Sequence, residues 1–295
     1  MGLYDFTKKL HHSTYATIDP SRPELSCKGK TVYILGAGWG SIGSGIAMSF
    51  AKAGAAKIGL LGRTAQTLEE TKAKINESYP GVEVHVETMD TSDNQSAGLA
   101  AHNIRVTIGA WDVFVNGAAH LPNLTTIAGS DDEDWFRTFE ASIKFIQYWS
   151  THFLPKARPN ATYVSLNAGS IAVPAAAMPL NSAYTAMKVA SLKLDEFIAA
   201  ETPSLRVFTL HPGIVDTRMY QKVRKGSSEM SGKPAPDDMS LPSDLCVWLA
   251  SPEAEFLRGR FLSVNFDMDE LVTRKPDFEA DPSLLRLQIG GLSLT

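Results

Sequence analysis

The 295-residue chain contains only two cysteines, Cys27 and Cys246. Two thiols so far apart in sequence exclude a disulfide framework, and they do not form a zinc-ligand pattern. We therefore expect both to be reduced thiols that lie in or near the core.

Long apolar runs and basic clusters are also missing. Residues 1–20 are polar, with no apolar stretch long enough for a signal peptide or a membrane span. The chain has 28 basic and 32 acidic side chains, a net charge of -4, and no clustered Lys/Arg run, which argues against a nucleic-acid partner. These features predict a soluble, cytoplasmic protein with no membrane and no nucleic-acid partner.

The first 29 residues show little periodicity and contain the turn formers Asp19-Pro20 and Arg22-Pro23. We predict an arm over residues 1–29 that lies on the surface or on a partner subunit. The doublet His11-His12 could bind a metal. Because no carboxylate or Cys pattern stands beside it, we favour a solvated arm and predict no metal site.

A glycine-rich turn follows the first predicted strand, Thr31–Leu35. It runs from Gly36 to Gly43 and leads into an apolar helical pattern over residues 46–51. Glycines let a backbone approach a pyrophosphate, and a helix N-terminus supplies free N–H groups and a partial positive charge. The order strand, turn, helix therefore predicts a dinucleotide site.

The end of the second predicted strand, Lys57–Leu61, indicates which dinucleotide binds. A site for NAD usually places a carboxylate here, whereas an Arg suits the 2′-phosphate of NADP. Gly62-Arg63-Thr64 follows this strand, so we predict NADP(H) rather than NAD(H). Asp90 follows the next strand, residues 82–86, where a loop that contacts adenine would lie.

The remaining elements alternate between strands and helices. The predicted strands are Asp112–Val115, Thr162–Leu166 and Leu205–Leu210, and the long predicted helices are Asp131–Phe153 and Asn181–Glu201. This order implies right-handed crossovers and an α/β fold, a doubly wound, Rossmann-like parallel sheet in a single domain. Small residues after the strand Asp112–Val115 allow a cofactor to lie against the backbone.

Tyr184 and Lys188 lie four residues apart in one predicted helix and should share one face. A cation near a phenol favours the phenolate, so we expect the pKa of Tyr184 to fall toward neutral, which would suit it to acid/base chemistry. The pair alone is weak evidence, since a Lys beside a half-buried Tyr occurs in many helices.

Taken together, residues 28–270 resemble the short-chain dehydrogenase/reductase family of the Tyr-x-x-x-Lys type. The resemblance rests on the order and spacing of several motifs: Gly36 to Gly43, Asp90, Asn116-Gly117-Ala118-Ala119, Tyr184 with Lys188, and Pro212-Gly213-Ile214-Val215-Asp216-Thr217. Residues 22–26 and 261–271 further resemble a subgroup associated with fungal metabolism. We expect the domain to span residues 30–271, with a variable substrate lid at 218–240 and a tail at 272–295.

The resemblance implies roles for individual residues. Tyr184 would be the acid/base, Lys188 would lower its pKa and hold the nicotinamide ribose, and Thr217 would reach the carboxamide. A hydride would move between the nicotinamide and a carbonyl or alcohol carbon. The predicted cofactor-binding residues are Gly36, Gly38, Ser41, Ile42, Gly43, Arg63, Thr64, Asp90, Asn116, Gly117, Ala118, Tyr184, Lys188, Pro212, Gly213, Val215 and Thr217.

Three positions depart from the family pattern. The glycine loop has one extra residue between Gly38 and Ile42, and Ser142 stands where an Asn usually supports proton resupply through Lys188. The usual catalytic Ser is also displaced: spacing from Tyr184 favours Ser170, whereas the strand register puts Ala168 there and leaves Asn167 as the nearest polar group. We prefer Ser170, because spacing to the Tyr constrains substrate geometry more directly. The predicted catalytic set is Tyr184, Lys188, Ser170, Ser142 and Asn167.

We therefore expect an NADP(H)-dependent carbonyl reductase that acts on a small carbonyl or alcohol. The alternatives are a non-redox enzyme of the same fold (an isomerase, cyclase or dehydratase) and a catalytically silent binding protein. Met219, Tyr220, Met230 and Met239 in the lid favour an apolar or aromatic substrate, although Met-rich stretches also occur in ordinary packing. The two long helices carry more apolar residues than one sheet face needs, which predicts a homodimer or homotetramer.

Overall fold

The fold is built on a seven-stranded sheet in the order β3-β2-β1-β4-β5-β6-β7, with every neighbouring pair parallel. The computed structural model describes residues 5–226 and 235–289. The strands are β1 Thr31–Leu35, β2 Lys57–Gly62, β3 Glu83–Thr88, β4 Trp111–Asn116, β5 Ala157–Leu166, β6 Arg206–His211 and β7 Arg260–Ser263. The predicted doubly wound, single-domain α/β fold is confirmed.

Helices cover both faces of this sheet. They are α1 Ile42–Lys52, α2 Ala65–Ser78, α3 Asn94–Ile108, α4 Asp132–Phe139, α5 Phe145–His152, α6 Ser182–Glu201, α7 Arg218–Gly226, α8 Ser240–Leu249, α9 Met268–Thr273 and α10 Lys275–Ala280. Within the described ranges, none of them is long and apolar enough to cross a membrane.

Side-chain alternation along the strands divides the core into two layers. In β1, Val32 and Ile34 belong to one buried cluster with residues of α1 and α8, whereas Tyr33 and Leu35 belong to the other with residues of α3 and α5. Every β1 residue is buried. A strand covered on both faces reads as a continuous apolar run, which is why β1 was predictable from the sequence.

The predicted long helix Asp131–Phe153 exists but is not uniform. A π-helical turn, Glu140–Lys144, joins α4 to α5 without a break. Single π turns inside α-helices often occur at functional sites, and this one contains Ser142. Several elements were not predicted, among them β7, α3, α8, α9 and α10. β7 has only four residues, and α8 begins at Ser240, where the lid was expected to end.

The N-terminal arm packs against its own chain. Ile18, Leu25 and Cys27 are buried in the core, and Leu10 forms an antiparallel bridge with Phe266. The arm is therefore an integral part of the folded domain.

His11 corrects the expectation of a solvated arm. Its side chain is buried, its Nε2 lies 2.8 Å from Asp267 Oδ2, and its ring stacks on Tyr15. In residues 5–226 and 235–289, no group of His, Cys, Asp and Glu side chains could hold a metal ion. Cys27 and Cys246 are free, buried thiols, as predicted.

Candidate active site

The candidate site is a cleft of about 370 Å³ at the carboxyl ends of the strands. The sheet order reverses between β1 and β4, because β2 and β3 lie on one side of β1 and β5 to β7 lie on the other side of β4. In open α/β sheets, ligands bind in the crevice at such a switch point. Gly36 follows β1, Gly117 follows β4, and both line the cleft.

The glycine loop fits closely against its neighbours. Gly36 has φ +82°, and a Cβ there would lie 2.9 Å from the Gly117 carbonyl carbon. A Cβ on Gly43 would lie 2.5 Å from the Gly36 carbonyl oxygen. Side chains are thus excluded where the backbone must stay accessible.

Ser41 organises the start of α1. Its Oγ accepts a hydrogen bond from the Ser44 N–H at 3.1 Å and donates one to the Gly36 carbonyl oxygen at 2.7 Å. Gly40, beside it, has φ +79°, a backbone conformation that residues with side chains rarely adopt. Residues 38 and 40–43 line the cleft, and the N-terminus of α1 opens onto it. Bare backbone and a helix N-terminus suit the pyrophosphate of a dinucleotide.

Arg63 and Asp90 lie in the part of the cleft next to β2 and β3. The Asp90 carboxylate accepts hydrogen bonds from the Ser92 hydroxyl at 2.7 Å and the Ser92 N–H at 2.9 Å. These bonds, with weaker contributions from Arg63 and Arg137, hold the pKa of Asp90 below its usual range. Thr64, by contrast, precedes α2 and does not line the cleft.

Tyr184 and Lys188 project from α6 into the same cleft, as their spacing predicted. The half-buried Tyr184 has its hydroxyl 3.9 Å from Met219 Sδ. Lys188 Nζ lies 5.6 Å from the centroid of the Tyr184 ring and donates to the Leu166 carbonyl oxygen at 2.7 Å. Burial raises the pKa of Tyr184 to about 12. The predicted fall toward neutral is therefore wrong for this structure, because the ammonium group is directed to a backbone carbonyl instead of the phenol.

Asp195 is a buried carboxyl that the sequence analysis missed. It lies on α6, and its Oδ2 accepts a hydrogen bond from Thr209 Oγ1 at 2.9 Å. Burial raises the pKa of Asp195 to about 7 and lowers that of Lys188 to about 8, while each charge partly offsets the effect on the other. Both side chains are buried on α6, and the charge of each affects the pKa of the other.

This pair predicts a pH effect on stability. In the unfolded chain Asp195 titrates near 3.8, and in the folded chain its pKa is about 7. The folded state therefore retains a proton that the unfolded state loses, and stability falls as pH rises from about 4 to above 7. Asp195→Asn should remove this loss.

We expect the free energy of unfolding of Asp195→Asn, relative to wild type, to be higher at pH 8 than at pH 5. One pKa unit is worth about 1.4 kcal/mol, so the change should reach at least about that size. Urea unfolding at the two pH values measures it. Glu201→Gln, an exposed change at the end of the same helix, is the control. If the difference in unfolding free energy between Asp195→Asn and the wild type were the same at pH 5 and pH 8, the raised pKa of Asp195 would be contradicted.

Of the two candidates for the second catalytic donor, Asn167 lines the cleft and Ser170 does not. Asn167 Nδ2 donates to the Lys188 carbonyl oxygen at 3.1 Å, and its Oδ1 accepts from the Ala168 N–H at 2.8 Å. The buried Ser170 Oγ accepts a hydrogen bond from Thr185 Oγ1 at 3.1 Å, and Ser170 is not a lining residue. The structure thus brings Asn167, and not Ser170, to the cleft wall.

Several other predicted site residues do not line the cleft. Ser142 is buried in the π turn, and its Oγ has no hydrogen-bond partner in the described part of the chain. Asn116 donates from Nδ2 to the Tyr163 hydroxyl at 3.1 Å. Gly213 and Val215 do not line the cleft. The predicted residues that do line it are Gly36, Gly38, Ser41, Ile42, Gly43, Arg63, Asp90, Gly117, Ala118, Asn167, Tyr184, Lys188, Pro212 and Thr217.

The cleft also contains residues that were not predicted as site residues, among them Trp39, His120 and Arg137. Met219, which was expected in the substrate lid, lines the cleft as well. Trp39 and His120 stand inside or next to motifs that were recognised, so position alone could have found them. Arg137 is in the last turn of α4, and nothing in its sequence context indicates a site. In the predicted lid, Met230 lies outside the described residues.

A family model described as short chain dehydrogenase matches residues 30–228. The chain belongs to the short-chain dehydrogenase family. It is therefore an oxidoreductase of this family, whose members use a nicotinamide cofactor.

Curated short-chain dehydrogenases of fungi are similar over nearly the whole chain. The short chain dehydrogenase mpl6 of Monascus purpureus is 31% identical over 281 residues, 93% of each chain. The short chain dehydrogenase andI of Emericella variicolor is 30% identical over 280 residues, 92% of each chain. These relatives confirm the resemblance to a fungal subgroup.

Solved short-chain dehydrogenase structures share the fold. The L-sorbose reductase of Gluconobacter frateurii, complexed with NADPH and L-sorbose, has a TM-score of 0.71 and 23% identity over 83% of this chain and 98% of its own. The NADPH-bound short chain oxidoreductase of Pseudomonas aeruginosa, described as having an atypical catalytic center, has a TM-score of 0.70 and 19% identity over 79% and 94%.

Proposed function

We propose that this chain is an NADP(H)-dependent reductase that interconverts a carbonyl and an alcohol on a small organic substrate, with Tyr184 as the acid/base. The nicotinamide, when bound, supplies or accepts the hydride. The observation that carries the proposal is the position of the Tyr184 hydroxyl in the same cleft as the glycine loop. One cleft can thus hold a dinucleotide and present a proton donor to a substrate oxygen.

The protonation state of Tyr184 favours the reductive direction. With a pKa of about 12, the phenol keeps its proton at neutral pH. A protonated phenol can donate to the alkoxide that forms when a carbonyl is reduced. Lys188, buried beneath the ring, would add positive charge as Tyr184 becomes a phenolate.

The glycine loop, Arg63 and the loop Pro212–Thr217 would hold the cofactor. The N-terminus of α1 would supply N–H groups and a partial positive charge to the pyrophosphate, and the glycines would let the backbone approach it. Pro212 and Thr217 line the cleft near Tyr184, where a nicotinamide would lie. Arg63, at the opposite end, would bind the 2′-phosphate.

The preference for NADPH over NADH should depend on Arg63. A charge-assisted contact to phosphate is worth about 1.5–3 kcal/mol, or roughly ten- to a hundredfold in affinity. We expect Arg63→Ala to lose most of this preference by weakening NADPH binding and leaving NADH binding nearly unchanged. Fluorescence titration with both nucleotides measures the ratio.

Lys57→Ala is a matched control for the loss of one positive charge. Lys57 begins β2, at the opposite end of the strand from Arg63, and pairs with Glu83 at 3.1 Å. The nucleotide preference should not change in this variant. Equal binding of NADH and NADPH by the wild type would show that the cofactor assignment is wrong.

The substrate is proposed to be apolar or aromatic. Apolar side chains line the same cleft as Tyr184, among them Ala141, Leu166, Pro212 and Met219. Met219 Sδ lies 3.9 Å from the Tyr184 hydroxyl, and a flexible thioether adapts to different ligand shapes. We also propose that residues 30–271 form the catalytic domain and that the enzyme is a cytoplasmic homodimer or homotetramer.

Two measurements on the purified protein test the reductase proposal. NADPH fluorescence reports binding, and loss of absorbance during a screen of ketones, including aromatic ones, reports oxidation of the cofactor. Binding with oxidation supports the reductase. Binding without oxidation favours a non-redox enzyme, and no binding favours a silent protein.

A further inference from the structure

Asp237 forms the centre of a buried polar cluster behind the cleft. The side chain of Asp237 is only 2% exposed, and its carboxylate accepts three hydrogen bonds. Oδ1 accepts from His12 Nδ1 at 2.6 Å and from Asn265 Nδ2 at 2.8 Å, and Oδ2 accepts from the Ile214 N–H at 2.6 Å. A buried carboxylate is expensive unless it is paired and hydrogen-bonded in this way.

The cluster fixes the backbone of the loop Pro212–Thr217. The Ile214 N–H donates to Asp237 Oδ2, and the Ile214 carbonyl oxygen accepts from the Asp237 N–H at 3.2 Å. Val215 also forms a parallel bridge with Asp237. Gly213 has φ +75°, and a Cβ there would lie 2.5 Å from Asp237 Oδ2. The loop and the carboxylate are therefore closely fitted, which gives Gly213 a role away from the cleft.

The same carboxylate joins this loop to the N-terminal arm. His12 Nδ1 donates to Asp237, and the His12 carbonyl oxygen accepts from the Asp238 N–H at 2.7 Å. Asn265 also donates from Nδ2 to the His11 carbonyl oxygen at 2.9 Å. The arm, the chain after β7 and the loop Pro212–Thr217 thus meet at one carboxylate.

We propose that Asp237, with His12 and Asn265 as its partners, is a positioning residue that holds the loop Pro212–Thr217 in the conformation that receives the nicotinamide end of the cofactor. This inference rests on the proposed function for the identity of the ligand. Pro212 and Thr217, at the ends of the loop, line the cleft, whereas its middle is held by Asp237 from behind. The arm thereby contributes to cofactor binding without touching the cofactor.

His12→Ala is the principal test. The His12 side chain is 57% exposed, so its truncation should not unfold the protein. We expect NADPH to bind about three- to tenfold more weakly, with KM for NADPH rising more than kcat falls. His12→Asn should restore affinity, because the Asn amide nitrogen can take nearly the same place as Nδ1.

His11→Ala is the matched control on the same arm. The His11 side chain pairs with Asp267, a different carboxylate from the one that accepts from the Ile214 N–H. Since both partners are buried, this variant should lower the thermal midpoint while leaving NADPH affinity unchanged. If His11→Ala and His12→Ala weaken NADPH binding equally, the arm has only a general structural role and the inference is overturned.

Hydrogen exchange on the protein without nucleotide gives an answer independent of the cofactor. Exchange of the Ile214 amide should be faster in His12→Ala and in Asp237→Asn than in the wild type, and unchanged in His11→Ala. Unchanged exchange in all three variants would refute the link between Asp237 and the loop. A wild type that binds neither NADPH nor NADH would refute the proposed function instead, and the exchange result would still decide whether Asp237 holds the loop.

Discussion

Tyr184→Phe should reduce turnover by about 10²–10⁴-fold, the usual contribution of a general acid or base, and leave NADPH affinity within about threefold. In the proposed mechanism the hydroxyl acts on the substrate oxygen, whereas the glycine loop and other residues would hold the cofactor. Phe keeps the ring and its packing on α6. Steady-state kinetics with NADPH and a ketone, together with a fluorescence titration, measure both quantities.

Tyr148→Phe is a suitable control, because Tyr148 is a half-buried residue of α5 that does not line the cleft. Its turnover should equal that of the wild type. Full activity in Tyr184→Phe would show that another group supplies the proton. The acid/base assignment would then be wrong, although the cofactor site would stand.

The sequence was most informative where local chemistry decides the structure. β1 was predicted with the bounds that the structure shows, because an apolar strand ends at a glycine that must adopt positive φ. Tyr184 and Lys188 share a helix face because their spacing requires it. Each of these features depends on residues close together in the chain.

Features that depend on distant contacts were missed. The ammonium group of Lys188 donates to the Leu166 carbonyl oxygen, and burial raises the pKa of Tyr184, so spacing alone gave the wrong direction for that pKa. His11 looked solvated because its partner, Asp267, follows 256 residues later. Asp237 follows Pro236 in the stretch that was expected to be a variable lid, and its partners His12 and Asn265 are distant in sequence.

The second catalytic donor is a case in which spacing and structure favour different residues. Spacing from Tyr184 favours Ser170, but the Ser170 hydroxyl is buried against Thr185 and away from the cleft. Asn167 lies on the cleft wall. An amide nitrogen carries two hydrogens, and only one of those on Nδ2 is needed for the Lys188 carbonyl oxygen. We propose that the other stabilises the oxyanion beside Tyr184.

Asn167→Ala should therefore lower kcat by about 10²–10³-fold, the typical cost of removing one oxyanion donor, and Ser170→Ala should stay within about threefold of the wild type. Because Asn167 also bonds the Ala168 N–H and the Lys188 carbonyl oxygen, thermal midpoints and NADPH affinity must be measured for each variant. Asn167→Ser, which keeps a shorter donor, should recover part of the lost turnover. A severe loss in Ser170→Ala with a mild one in Asn167→Ala would reverse the assignment, since the hydroxyl of Ser170 would then have to turn from Thr185 toward the substrate.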